Sequence, residues 1–145
     1  MSQEEFFIYG SREIEYLTQR DPVLGEAMAR IGFIRRPVIP DLFRALVKSI
    51  VGQQISSQAQ ATIWKRMETK FTPFVPETIA TVNLEELQSC GIPWRKATYI
   101  QGVAQAALEG HLDSSQLKAM SDQEVSAHLT QLKGVGPWTA EMLLI

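Results

Sequence analysis

The stretch Leu132-Lys133-Gly134-Val135-Gly136-Pro137-Trp138-Thr139-Ala140 constrains the fold of this 145-residue chain more than any other. Upstream, Ser121 precedes Glu124 by three residues, the spacing of a capping box, and Val125, Leu129 and Leu132 follow at helical intervals. A helix therefore starts at Ser121. Gly134 and Gly136 break it and let the backbone turn sharply. Pro137 suits the first position of the next helix, where no N–H is needed and φ is already set. The expected structure is helix, tight glycine hairpin, helix. The amides around Gly134, Val135 and Gly136, with those of the next helix's first turn through Thr139, are expected to point outward. With the helix dipole behind them they suit a phosphate oxygen and need no basic side chain. The alternative is an ordinary turn between two helices, stapled by Val135.

Composition limits the partners. The chain is 45% hydrophobic and 21% charged, enough apolar content for one globular core. No apolar run approaches membrane-spanning length and no secretory signal opens the sequence, so the expectation is a cytoplasmic protein with no membrane partner. A single cysteine, Cys90, excludes an internal disulfide and any multi-cysteine metal site, and is expected as a small buried residue beside Gly91. The net charge of −2 argues against a general electrostatic nucleic-acid binder and for a small footprint held by backbone amides.

In chain order, Phe6, Phe7, Ile8 and Tyr9 predict a short strand or a tail that docks by its aromatics. Apolar spacing predicts helices over 11–19 and 22–31, closed by Gly32, then an irregular link from Arg35 to Pro40. Asp41 caps a helix with a wide apolar face (Phe43, Leu46, Val47, Ile50, Val51), which halts at Gly52. A serine at 56 or 57 caps the next helix, which carries Ile63, Trp64 and Met67 as far as Phe71. A short helix from Pro76 leads to Asn83, whose spacing to Glu86 predicts a second capping box for a helix over 84–89. Cys90-Gly91-Ile92-Pro93-Trp94 feeds a helix carrying Ala97, Ile100, Val103, Ala104 and Ala107 to Gly110, and a short helix follows from Ser114 or Ser115 to Met120. The fold class is all-α, with residues 1–39 as an N-terminal segment and 40–145 as the main domain.

Three constellations carry candidate chemistry, each with two readings. Gln53 and Gln54 at a helix end beside Gly52 could enter a DNA groove and fill a vacated base position, or could satisfy carbonyls at that helix end. Arg95 and Lys96 could contact a phosphate, or could be solvated charges. Trp138 and Met142 share a helix face, as core or as one wall of an aromatic pocket for an extruded base. His111 and His128 lack metal-ligand spacing and carry no assigned chemistry.

Residues 40–145 resemble the helix–hairpin–helix superfamily of DNA glycosylases, in its alkylation-repair branch of 3-methyladenine DNA glycosylase II. The resemblance rests on Leu46-Val47-Lys48-Ser49-Ile50-Val51-Gly52-Gln53-Gln54-Ile55-Ser56, on Lys96-Ala97-Thr98-Tyr99-Ile100, and on Leu132 to Ala140. It implies monofunctional hydrolysis of the N-glycosidic bond of a flipped alkylated purine such as 3-methyladenine in double-stranded DNA. It implies Gln54 as the inserted residue with Gln53 beside it, and Trp138 and Met142 in the base pocket. Trp138 stands where the bifunctional branch has its Schiff-base lysine, so no lyase nucleophile is offered. No organic cofactor is implied, only a Na+ or K+ ion between hairpin carbonyls such as those of Leu132 and Gly134. The cellular site implied is the bacterial nucleoid. The family's catalytic aspartate is expected beyond Ile145; Glu141 sits on the helix before the site and does not replace it. The chain alone is therefore expected to be inactive, as part of a longer enzyme whose apolar C-terminal helix would otherwise drive self-association. The alternatives are a non-catalytic DNA-binding module and a helical interaction domain whose Gly-Val-Gly turn is only structural.

Overall fold

A computed structural model describes residues 5–144. The chain divides into two compact units, Met1–Pro40 and Asp41–Ile145. The first contains β1 (Glu5–Phe6), α1 (Ser11–Arg20), α2 (Pro22–Ile31) and β2 (Pro37–Val38). The strands pair antiparallel, Glu5 opposite Val38 and Phe6 opposite Pro37. β2 corrects the expectation of a wholly irregular link. Its proline is tolerated because a two-stranded ladder consists only of edges. So short a ladder is marginal by itself. It is supported by Tyr9, whose ring stacks on Phe33 at 4.7 Å and whose hydroxyl donates to the Ile34 carbonyl at 2.7 Å. Asp21 accepts the Leu24 N–H at 3.0 Å and starts α2, with Pro22 at its first position. Gly25 is the one buried residue of this unit among those described, and a Cβ there would stand 2.5 Å from Thr18 Cγ2, so α1 and α2 cross closely.

The second unit is all helix: α3 (Leu42–Gly52), α4 (Ser57–Lys70), α5 (Pro76–Thr81), α6 (Leu84–Gln88), α7 (Trp94–Leu108), α8 (Ser114–Lys118), α9 (Asp122–Leu129) and α10 (Pro137–Leu143). None is long and apolar enough to cross a membrane. The expected apolar stripes point inward. Leu46, Val47, Ile50 and Val51 of α3 and Ile100, Val103 and Ala104 of α7 are fully buried, joined by Met67, Ile79 and Leu87. α7 is the central element, packing on α3, α5 and α6, while α10 packs on α3 and α9. Cys90 is buried as expected, and burial pushes its thiol pKa up. His128 Nε2 lies 2.7 Å from the His111 carbonyl, which pins α9 to the segment following α7.

Of the two expected capping boxes, one forms. Ser121 Oγ accepts the Glu124 N–H at 3.3 Å, and Glu124 Oε2 accepts the Ser121 N–H at 2.7 Å. Asn83 makes no side-chain cap bond. The Glu86 N–H that its side chain was to accept donates instead to the Asn83 carbonyl at 3.0 Å, because the first turn of α6 is tightened to three-residue spacing. Ser121→Ala is therefore expected to lower stability by about 1 kcal/mol, with Asn83→Ala leaving the denaturant midpoint unchanged. The Ser121 N–H, and then its hydroxyl, hold the Glu124 carboxyl below the usual carboxylate range. A depressed native pKa contributes stability at neutral pH that is lost as pH falls through it. The advantage of the wild type over Glu124→Gln, followed by thermal melts, should accordingly be full at pH 7 and vanish under acid.

Candidate nucleic-acid interface

The hairpin forms where expected. After α9 the chain tightens through Leu132 N–H to Leu129 O and Val135 N–H to Leu132 O, both 3.1 Å. Val135 is 4% exposed and packs into the core, so it is the staple. Its amide is used by the turn and faces no ligand, which removes Val135 from the expected phosphate-binding set. The amides of Gly134, Gly136, Trp138 and Thr139 donate to no acceptor among the described residues. Thus the staple and the row of free amides are carried by different atoms of one turn.

The two glycines are required for different reasons. Gly134 has φ +89°, and a Cβ there would stand 2.4 Å from Tyr99 Cδ2 and 2.6 Å from Cγ. The Tyr99 ring lies against the hairpin backbone, a role the sequence did not signal because Tyr99 is off the apolar stripe of α7. Gly136 has ordinary extended geometry, φ −89° and ψ 176°, and an added Cβ would meet nothing within 4 Å. Nothing in the fold requires a glycine there; the space it leaves opens outward beside the free amides.

The turn between α3 and α4 is tied to this hairpin. Gln53 Nε2 donates to Gly134 O at 2.8 Å and lies 3.4 Å from Thr139 Oγ1. The Gln53 side chain is thus neither a groove probe nor a donor to the carbonyls of α3, because its amide hydrogens are directed at the hairpin; only its backbone N–H, which donates to Ile50 O at 3.3 Å, caps that helix. Lys96 is also redirected. Its ammonium donates to Val51 O at 2.9 Å and Gln53 O at 2.6 Å, capping the C-terminus of α3 instead of meeting a phosphate. Partial burial pulls its pKa below the ordinary lysine value. Arg95 beside it stays exposed, as does much of Trp94, at 47%. Gln54 is exposed, with φ +60°, the one non-glycine residue in the left-handed region among those described.

Trp138 is 74% exposed on the first turn of α10, which corrects the reading of it as core. Met142, one turn on, is half-buried, and Leu143 packs against the core, so the apolar C-terminal surface is smaller than expected. Thr139 is buried at 5%. The carbonyls expected beside a monovalent cation already accept hydrogen bonds, Leu132 O from Val135 N–H and Gly134 O from Gln53. Each of these carbonyl oxygens keeps a second lone pair beside the hydrogen bond it accepts. The acids whose pKa shifts, Glu13, Asp113 and Glu124, all shift downward through capping hydrogen bonds, the reverse of a general acid. Glu141 is exposed on α10.

The glycine pair predicts a split in stability. Gly134→Ala combines left-handed backbone with a clash against Tyr99, and should lower stability by roughly 2–3 kcal/mol. At Gly136 the reduced freedom of the unfolded chain favours alanine and its helix-capping preference disfavours it, so Gly136→Ala should stay within about 0.5 kcal/mol of the wild type in urea unfolding.

The chain is similar to known proteins in sequence and in fold. DNA-3-methyladenine glycosylase 1 of Schizosaccharomyces pombe is 31% identical over 109 residues, covering 71% of this chain and 47% of that protein. The DNA-3-methyladenine glycosylase of Bacillus subtilis is 28% identical over 141 residues, covering 89% and 46%. The chain thus spans about half the length of the curated relatives it matches. Among solved structures, a DNA-3-methyladenine glycosidase from Bacillus halodurans superposes with a TM-score of 0.79 at 33% identity, covering 97% of this chain and 65% of that one. The Schizosaccharomyces pombe 3-methyladenine DNA glycosylase in complex with abasic DNA gives 0.83 at 26% identity, covering 92% and 68%. The family described as HhH-GPD superfamily base excision DNA repair protein matches residues 47–143, which include the Gln53 turn, Lys96, Tyr99 and the whole hairpin. With that match and that geometry together, the chain belongs to the HhH-GPD superfamily of base excision DNA repair proteins.

Proposed function

We propose that this chain is the DNA-gripping part of an alkylation-repair glycosylase, which hydrolyses the N-glycosidic bond of alkylated purines such as 3-methyladenine without cutting the strand. The observation that carries the reading is Gly136: a glycine the fold does not need, beside four amides with no acceptor among the described residues. A DNA phosphate oxygen fits both the space and the donors. Arg95 supplies a nearby charge, taking the role first expected of Lys96. Gln54 projects from its strained turn into the position vacated by a flipped nucleotide. The exposed Trp138 indole offers the extruded base a stacking surface, and an alkylated purine, being cationic, is attracted to an aromatic face. The curated relatives named as DNA-3-methyladenine glycosylases support this substrate class.

The chemistry needs a carboxylate to stabilise the oxocarbenium-like sugar and to position water, and no acid among the described residues is held at the hairpin for that task. We therefore infer that residues 1–145 bind DNA and do not excise bases. No 3-methyladenine should be released from methylated DNA by this chain alone, and chromatographic detection of the free base would overturn that inference. Binding itself is expected to depend on Gly136. In fluorescence anisotropy with duplex DNA, Gly136→Ala should weaken binding about tenfold while its unfolding midpoint is unchanged, the loss of one or two charge-assisted hydrogen bonds. Because most contacts are dipolar, log K should fall with log salt at a shallow slope of roughly −1 to −3. Unaltered binding by Gly136→Ala would remove the hairpin from the function.

A further inference from the structure

We propose that Gln53 is a positioning residue that locks the groove-facing turn to the phosphate-gripping hairpin, so that Gln54 and the free amides of the hairpin engage DNA as one rigid unit. This rests on the DNA-binding reading above and adds to it how two contact elements far apart in sequence are held in register.

The geometry is specific to a carboxamide. Gly134 O can only accept, so the nitrogen of Gln53 must face it. That nitrogen carries two hydrogens. One is directed at Gly134 O, at the entry to the glycine tip; the other faces Thr139 Oγ1, in the first turn of α10 at the exit, where Thr139 is buried. One side chain therefore spans both sides of the hairpin across 81 and 86 residues of sequence. On its other side the Gln53 backbone is fixed, because its carbonyl accepts from Lys96 Nζ at 2.6 Å. The first of the three residues between Gln53 and α4 is Gln54, in the left-handed region at φ +60°. A non-glycine residue keeps such a conformation only where its surroundings impose it. The two anchored atoms of Gln53 are what the structure offers to impose it, one from the hairpin side and one from α7.

The lock predicts coupling rather than mere affinity. The probes are a duplex carrying a central tetrahydrofuran abasic analogue and the same duplex intact, bound by this chain in anisotropy titrations. The wild type should prefer the abasic duplex, because Gln54 fills the gap, and Gln54→Ala should lose that preference. Gln53→Met keeps length and volume but removes the donor; its ratio of abasic to intact affinity should also fall, roughly five- to tenfold. Gln53→Glu places a carboxylate against the Gly134 carbonyl and should be worse than Gln53→Met. The Gln53→Met/Gln54→Ala double variant should be no worse than either single, since both changes disable one device. An amide NMR spectrum checks that each variant is folded, and in Gln53→Met it should show shifts at Gly134 and Thr139. Additive losses in the double variant would mean that Gln53 contacts DNA itself, and would overturn the lock. So would an unchanged abasic preference in Gln53→Met, with or without a fall in stability. Failure of the underlying reading looks different: there the wild type binds neither duplex, or Gly136→Ala binds both as the wild type does.

Discussion

The close approach of Gly134 to the Tyr99 ring sets the geometry on which the rest of the interface depends. With no Cβ at 134, the hairpin backbone comes down onto α7, the helix around which the second unit is packed. Val135 then drops into the core as a staple, which leaves the neighbouring amides at the surface. A hairpin held only by its two helices would fray with them. Seated on α7 and pinned by Val135, it inherits the rigidity of the core, as a group that must present several donors at fixed spacing requires.

The same turn divides its atoms between the interior and the surface. Gly134 serves the interior, through its left-handed φ and its contact with Tyr99. Gly136 serves the exterior, with common backbone geometry and empty space where a side chain would be. Val135 turns its side chain and its amide inward, while Trp138 keeps its indole in solvent. A substitution in this segment thus strikes stability, or the binding proposed above, according to which way the altered atom faces.

Charge is arranged in keeping with the net −2 of the chain. Lys96 is turned onto the carbonyl end of α3, where the helix dipole favours a cation and the open carbonyls need donors, while Lys133 at the hairpin stays exposed. On the reading proposed above, a polyanion would meet mainly dipoles, with Arg95 and Lys133 as exposed full charges, and such a contact would be short-ranged and directional.

Much of this was determined by the sequence alone. Helix periodicity, the Ser121 capping box, Pro137 at a helix start and the paired glycines are local signals, and local signals specify helices because their hydrogen bonds close within a few residues. They sufficed for an all-α fold and for the hairpin, and the stretch from Leu132 to Ala140 sufficed for the family resemblance. What only the tertiary structure decided is where polar side chains at turns are directed. Gln53 and Lys96 carry the same local features whether they face a groove, a phosphate or a carbonyl of their own chain. Their partners lie 81 and 43–45 residues away, and no periodicity encodes such a distance. Tyr99 was illegible for the same reason, since its contact is with a glycine that has no side chain to match. At Asn83 a one-residue tightening of the first turn defeated a correct capping pattern. Backbone conformation is written locally in the sequence, whereas the pairing of polar groups is decided by what the fold brings within three ångströms.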